Sequence, residues 1–150
     1  MEAPYIYELE FKVRDYELDI EGIVNNANYQ HYLEHTRHEF MLSMGPGFGE
    51  LVSQGIAPVV TRVEIRYKTP LRSGDSFLSR LYVRREGVRY VFYQEIVKTT
   101  GECCVKAVVD TVFTRNGRPT RGDEFAPYYE KLINQESRWI PLPTNNCAIA

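Results

Sequence analysis

Residues 16–29 read Tyr16-Glu17-Leu18-Asp19-Ile20-Glu21-Gly22-Ile23-Val24-Asn25-Asn26-Ala27-Asn28-Tyr29. The stretch holds three acids and a glycine and closes on asparagines suited to cap a helix. It therefore places a carboxylate and a glycine in irregular backbone just ahead of a helix N-terminus, where free N–H groups and the helix dipole attract negative charge. Acidic loops before helices are common in proteins without an active site, so the loop alone leaves function open.

Before the loop, Tyr5, Tyr7, Leu9, Phe11 and Val13 alternate with Ile6, Glu8, Glu10 and Lys12, which predicts a half-buried strand over 5–13. After it, Tyr29, Leu33, Thr36, Phe40 and Met44 fall on one helical stripe. The spacing predicts a helix from Ala27 to Met44, capped by Asn25 or Asn26 and stopped by Gly45-Pro46-Gly47, with a short second helix from Phe48 to Gln54. Next comes a strand with Val59, Thr61, Val63, Ile65 and Tyr67 opposite Arg62, Glu64, Arg66 and Lys68. Turns at Ser73-Gly74-Asp75, Glu86-Gly87 and Thr100-Gly101-Glu102 then bound strands over 76–85, 88–99 and 103–115, an antiparallel meander. On the last strand Cys103, Val105, Ala107, Val109, Thr111 and Phe113 share a face suited to a core. A surface helix is expected from Glu124 to Asn134, and an extended or mobile tail beyond Trp139. The order implies an α+β layer arrangement, one long helix across a five-stranded, mostly antiparallel sheet. Its edge strands would be protected by pairing two subunits, so a symmetric dimer is expected.

Composition narrows the function classes. The chain has 150 residues, 43% hydrophobic and 25% charged, and 18 Lys+Arg against 20 Asp+Glu. That is a globular balance without the basic excess that general nucleic-acid binding needs. No apolar stretch approaches the roughly 20 residues of a membrane span, and the N-terminal residues lack a signal-peptide pattern, so the expected compartment is the cytoplasm. Cys103, Cys104 and Cys147 read as reduced thiols, not a metal site.

Asp19, Gly22, Val24, Asn25, Asn28 and Tyr29, followed by Tyr32, Arg37 and Phe40, resemble the N-terminal motif of the 4-hydroxybenzoyl-CoA thioesterase family, D-x-x-G-x-V followed by N-Y and a helix with R-x-x-F. The stretch YKTPLRSGD at 67–75 and Gly117-Arg118-Pro119 resemble that family's strand end and its exit from the last strand. The resemblance covers about residues 5–120. It implies a hotdog fold, a sheet wrapped around one long central helix, in a single domain over 1–150 with a helix and tail at 121–150.

The resemblance also implies an acyl-CoA thioesterase acting on a small or medium acyl or aroyl group, as a homodimer or homotetramer and without a cofactor. Asp19 would act as nucleophile or as base for water, and backbone N–H groups near the helix start would hold the thioester oxygen. Gly22, Ile23, Val24, Asn25 and Tyr29 would surround the substrate. Some bacterial relatives carry a tyrosine four positions before the acid and a histidine seven after it; here these are Asp15 and Asn26. Asn26, at the catalytic position of that histidine, does not supply its proton shuttle, so a different acid–base partner or weak catalysis is expected, and Glu34 is a second carboxylate that can assist. The Asn25-Asn26 pair looks like that of acyl-carrier-protein thioesterases, which keeps carrier-bound substrates open. A non-catalytic acyl-CoA-binding module is the alternative.

Two further patterns have competing readings. His31-Tyr32-Leu33-Glu34-His35 matches the zinc motif H-x-x-E-H, but these histidines and His38 lie opposite the apolar stripe, where a solvated polar face is expected and no metal. Arg84, Arg85 and Arg89, or alternatively Arg115, Arg118 and Arg121, can dock the phosphates of coenzyme A or form a solvated rim.

Overall fold

A computed structural model describes residues 5–133. In chain order these form β1 (Tyr7–Lys12), a 3₁₀ turn (Asp15–Glu17), α1 (Asn26–Leu42), α2 (Pro46–Ser53), β2 (Ile56–Tyr67), β3 (Ser76–Glu86), β4 (Arg89–Lys98), β5 (Cys103–Arg115), the two-residue β6 (Arg118–Pro119) and α3 (Ala126–Ile133). The sheet runs β1-β3-β4-β5-β2 with β6 beside β5, and every pairing is antiparallel. The expected hotdog arrangement is present, with β6 as an added sixth strand.

α1 starts where Asn25 stays extended and its side chain accepts the Ala27 N–H at 2.9 Å, which identifies Asn25 as the cap and Asn26 as the first helical residue. The chain leaves the helix through Gly45 at φ +95°, so α1 ends two residues before the expected Met44. α2 begins two residues early because Pro46 suits a first helical turn. α3 begins two residues later than expected, at Ala126; its expected end at Asn134 and the tail beyond Trp139 lie outside the described residues.

Tyr29, Leu33, Thr36 and Phe40 are buried as the stripe predicts, joined by Tyr32 and Met41. They meet two apolar clusters on the sheet, one around Leu81, Phe92, Val109 and Phe113, the other around Phe77, Ile96, Val105 and Ala107. Burying each large apolar side chain contributes about 1.5–3 kcal/mol. Two polar ties fix the helix in register: Thr36 Oγ1 lies 2.6 Å from Ser79 Oγ, and Gln94 Nε2 donates to Leu33 O at 3.1 Å.

Two bulges overturn parts of the alternation. The β2–β5 register shifts between Val60 and Arg62, leaving Thr61 as the extra residue. Downstream, Val63, Ile65 and Tyr67 face α1; upstream, that side is taken by Val60 and Pro58, while Val59 turns to the outer face. A second shift sits opposite Ile96 and Val97, where Cys104 is the extra residue. Cys104 consequently joins the helix-side core, and Cys103 packs with Val97 instead of sharing the face of Val105. Cys103 is disulfide-bonded, a correction to the reading of all three thiols as reduced that residue spacing does not reveal. Cys104 is a free thiol whose pKa is pushed up to about 11 by burial.

Candidate active site

The loop ahead of α1 folds back on itself like a small hairpin. Leu18 and Val24 form an antiparallel bridge, Asp19 N–H donates to Ile23 O at 2.8 Å, and Gly22 N–H to Asp19 O at 3.1 Å. Gly22 sits at φ +80°, a conformation that favours glycine. This hairpin is fastened on two sides. Ile23 bridges Arg72 and Val24 N–H donates to Leu71 O at 2.9 Å, while Glu17 O accepts Asn25 N–H at 3.0 Å and Asn28 Nδ2 at 2.8 Å.

Within this frame Asp19 is half-buried. Its Oδ1 accepts the N–H groups of Glu21 at 2.8 Å and Ile23 at 3.4 Å, and Oδ2 has no partner among the described residues. The carboxylate is therefore held by its own loop; the expectation that the helix N-terminus itself holds it is corrected. What the helix offers is a donor. Among the described residues, the main-chain N–H groups of Ile20 and Asn26 have no acceptor, and Asn26 opens α1. An unpartnered carboxylate oxygen and an unpartnered helix N–H in one loop-helix joint suit attack on, and charge stabilisation of, a polarised carbonyl.

The other expected residues divide sharply. Val24 is 1% exposed and packs in the core, and the Asn25 side chain is engaged in the cap, so both shape the loop. Tyr29 is buried beside Tyr67; its hydroxyl accepts Leu71 N–H at 3.0 Å, and burial raises its pKa. Asn26 O accepts the Tyr67 hydroxyl at 3.4 Å, which ties the end of β2 to the start of α1. Ile23 is half-buried, and neighbouring Ile20 is fully exposed.

Glu34 lies eight residues into α1, about 12 Å along the axis from Asn26, and is not brought to Asp19. Arg84, Arg85 and Arg89 sit at the opposite end of β3 and β4, roughly 30 Å of strand from the Arg72 side of the loop. Their charges have local partners: Arg84 lies over the Tyr82 and Tyr93 rings, Arg85 bonds Asp123 at 2.7 Å, and Arg89 bonds Asp110 at 2.9 Å. Within one chain they form no site with Asp19. His31, His35 and His38 are exposed, and among the described residues no group of three metal-binding side chains gathers.

One feature was not read from the sequence. Between α1 and β2 lies a cavity of about 440 Å³ lined by Arg37, Met41, Val52, Pro58 and Phe92, and next to it a smaller one of about 170 Å³ beside Gln30 and Val63, with Glu34, Arg37 and Val60 lining both. The R-x-x-F motif names Arg37, but only the bulge in β2 turns Val60 toward it.

Residues 13–135 match the Thioesterase-like superfamily. The chain belongs to this superfamily. It is 37% identical over 91 residues to the acyl-acyl carrier protein thioesterase ATL3, chloroplastic, of Arabidopsis thaliana, an alignment covering 61% of this chain and 48% of that protein. The chain thus spans about half the length of this relative and of the similar ATL2. Among solved structures of this fold, a DHNA-CoA thioesterase from Staphylococcus aureus superposes with a TM-score of 0.75 at 21% identity, covering 87% of this chain and 90% of that one. A thioesterase from Thermus thermophilus, complexed with coenzyme A and zinc, gives 0.75 at 22% identity over 93% and 98% of the two chains. No helix among the described residues is long and apolar enough to cross a membrane.

Proposed function

We propose that the chain hydrolyses acyl thioesters of coenzyme A or of acyl carrier protein, with Asp19 as the working carboxylate. The observation that carries this reading is the split role of its two oxygens, Oδ1 fixed by two loop N–H groups and Oδ2 unpartnered among the described residues, in the loop that leads into α1. The same position matches the acid of the 4-hydroxybenzoyl-CoA thioesterase motif. Acting as base, Oδ2 takes a proton from water as the hydroxide oxygen adds to the thioester carbon. The oxyanion that forms accepts the free Asn26 N–H, and its collapse breaks the carbon–sulfur bond. The proton held on Asp19 then goes to the departing thiolate. As nucleophile, Oδ2 would form a mixed anhydride that water cleaves, and a single turnover in ¹⁸O-water would label Asp19 only on that route.

The functional unit we propose is a homodimer built on β2, or a homotetramer of such dimers. The outer edge of β2 is unpaired among the described residues, and Val59, Val60, Val63 and Tyr67 are 39–47% exposed along it. Antiparallel pairing of two such edges would carry the sheet end bearing Arg84, Arg85 and Arg89 of one subunit toward Asp19 of the other, which supports a role for that end in holding the nucleotide.

A panel of acyl-CoA and acyl-carrier substrates, assayed for free thiol release, tests the activity, and the solution mass tests the assembly. Release by the wild type that is lost in Asp19→Asn supports hydrolysis. Tight acyl-CoA binding without release on any substrate would establish the non-catalytic binding module instead.

A further inference from the structure

We propose that the groove between α1 and β2 receives the substrate's acyl chain and selects one that carries a hydroxyl near its far end, read by Arg37 together with Glu34. The proposal rests on the thioesterase reading above for the position of the thioester. Because the Tyr67 hydroxyl meets Asn26 O, β2 ends where α1 begins, and the smaller cavity opens about one turn further along at Gln30. From there the groove follows α1 past Glu34 and Arg37 to Met41 and Phe92. Arg37 stands 11 residues from Asn26, about 16 Å along the axis. That is the reach of a saturated chain of roughly 12 carbons.

Arg37 is the misfit in this groove. Beside Glu34, His38 and Thr111 its neighbours there are apolar, Met41, Val52 and Phe92 among them, yet it carries five N–H donors and a permanent charge. One of these donors is bound, Nη1 to Gln94 Oε1 at 2.9 Å. Gln94 is itself 1% exposed and anchored to Leu33 O, so it cannot supply a second acceptor from another angle. Arg37 makes no salt bridge among the described residues; burial lowers its pKa, and the nearby negative charge of Glu34 works against that shift. A guanidinium largely shielded from water with most of its donors unmatched is costly unless something binds them.

The chemistry of the occupant follows from the neighbours. Glu34, three residues before Arg37, lines both cavities. Its negative charge opposes a carboxylate on the ligand. A hydroxyl satisfies both groups, accepting from Arg37 and donating to Glu34. Thr111, the hydroxyl already in the larger cavity, donates its proton to Tyr90 O at 2.7 Å and so has none for Glu34.

The test measures binding of two free acids of about 12 carbons, one unsubstituted and one with a terminal hydroxyl, to the full chain by calorimetry. A terminal dicarboxylate of the same length is the third ligand. A hydrogen bond to a charged group is worth about tenfold to a hundredfold in affinity, so the wild type should favour the hydroxy acid by at least about tenfold and discriminate against the dicarboxylate. Arg37→Met should erase the preference, and Glu34→Gln should relax the exclusion of the dicarboxylate. The ratio of kcat/KM for the two matching CoA esters should shift in the same direction.

Equal affinity for both monoacids in the wild type overturns the proposal, whatever Arg37→Met does. A structure of the assembly in which a side chain of the second subunit fills the groove and pairs with Arg37 overturns it as well. Hydrolysis of both esters at equal kcat/KM refutes the selectivity while leaving the thioesterase reading intact. A preserved binding preference with no hydrolysis supports the groove and refutes the thioesterase reading.

Discussion

Asp19→Asn replaces one carboxylate oxygen with an amide and leaves Oδ1, the atom that accepts Glu21 N–H at 2.8 Å and Ile23 N–H at 3.4 Å. The turn keeps both side-chain bonds, and its main-chain bonds between Asp19 and Ile23 and between Gly22 and Asp19 are untouched. Losing the charge on those two bonds costs about 0.5–1 kcal/mol, so the melting temperature should move by only a few degrees. Asp19→Ala, which removes Oδ1, should cost about 1–2 kcal/mol by comparison. What asparagine does remove is the basicity and nucleophilicity of Oδ2. A positioned base contributes about 10²- to 10⁴-fold, roughly 3–5 kcal/mol of barrier, and kcat should fall by that factor with KM nearly constant. Steady-state release of free thiol on the best substrate of the panel measures it. Glu21→Gln is the control, since its carboxylate makes no hydrogen bond among the described residues; Glu17→Gln, which keeps an acceptor for Arg14 N–H, is the second. Wild-type kcat in the asparagine variant would refute the assignment and make Glu34 the next carboxylate to test.

Glycine substitutions should separate strain from crowding. Gly122 sits at φ +77°, and a Cβ there would lie 2.9 Å from Tyr90 Cε2 and 3.1 Å from Val88 O, so Gly122→Ala should lose about 2–3 kcal/mol in denaturant unfolding. Gly22→Ala faces open space at φ +80° and should lose only about 1 kcal/mol, from strain alone. Burial would raise the pKa of Asp75, but the Arg72 N–H at 2.8 Å and the Lys98 ammonium at 3.0 Å outweigh it and hold the carboxyl below its ordinary value. With the folded pKa below the unfolded one, its contribution is full above about pH 4 and drains away as pH falls through the lowered value. The stability gap between wild type and Asp75→Asn, followed by acid titration of unfolding, should therefore be constant at neutral pH and shrink in strong acid. A gap that widens on acidification would reverse that sign.

Features encoded within one segment were legible in the sequence, and features set by a second segment were not. The α1 stripe reads directly because Tyr29, Leu33, Thr36 and Phe40 recur at helical spacing, and the meander reads because Gly74, Gly87 and Gly101 supply positive φ at its turns. Asp19 was found by motif. The clamp that holds its loop was not, since Leu71 and Arg72 come from a distant part of the chain. Arg84, Arg85 and Arg89 looked like a phosphate handle because a sequence displays charges and conceals their partners, here two tyrosine rings, Asp123 and Asp110.

Strand parity failed for the same reason at Thr61 and Cys104. A bulge is a mismatch between two strands, and alternation along either one carries no trace of it. The Thr61 bulge has the larger consequence. Unbroken alternation would put Val59 and Thr61 toward α1 and turn Val60 outward. The extra residue turns Val60 in beside Val63, opposite Glu34 and Arg37, and leaves Arg62, Glu64 and Arg66 as an ion-paired ladder on the outer face. An apolar wall thereby faces a guanidinium along α1, and the groove owes its shape to one extra residue in β2 that periodicity does not reveal.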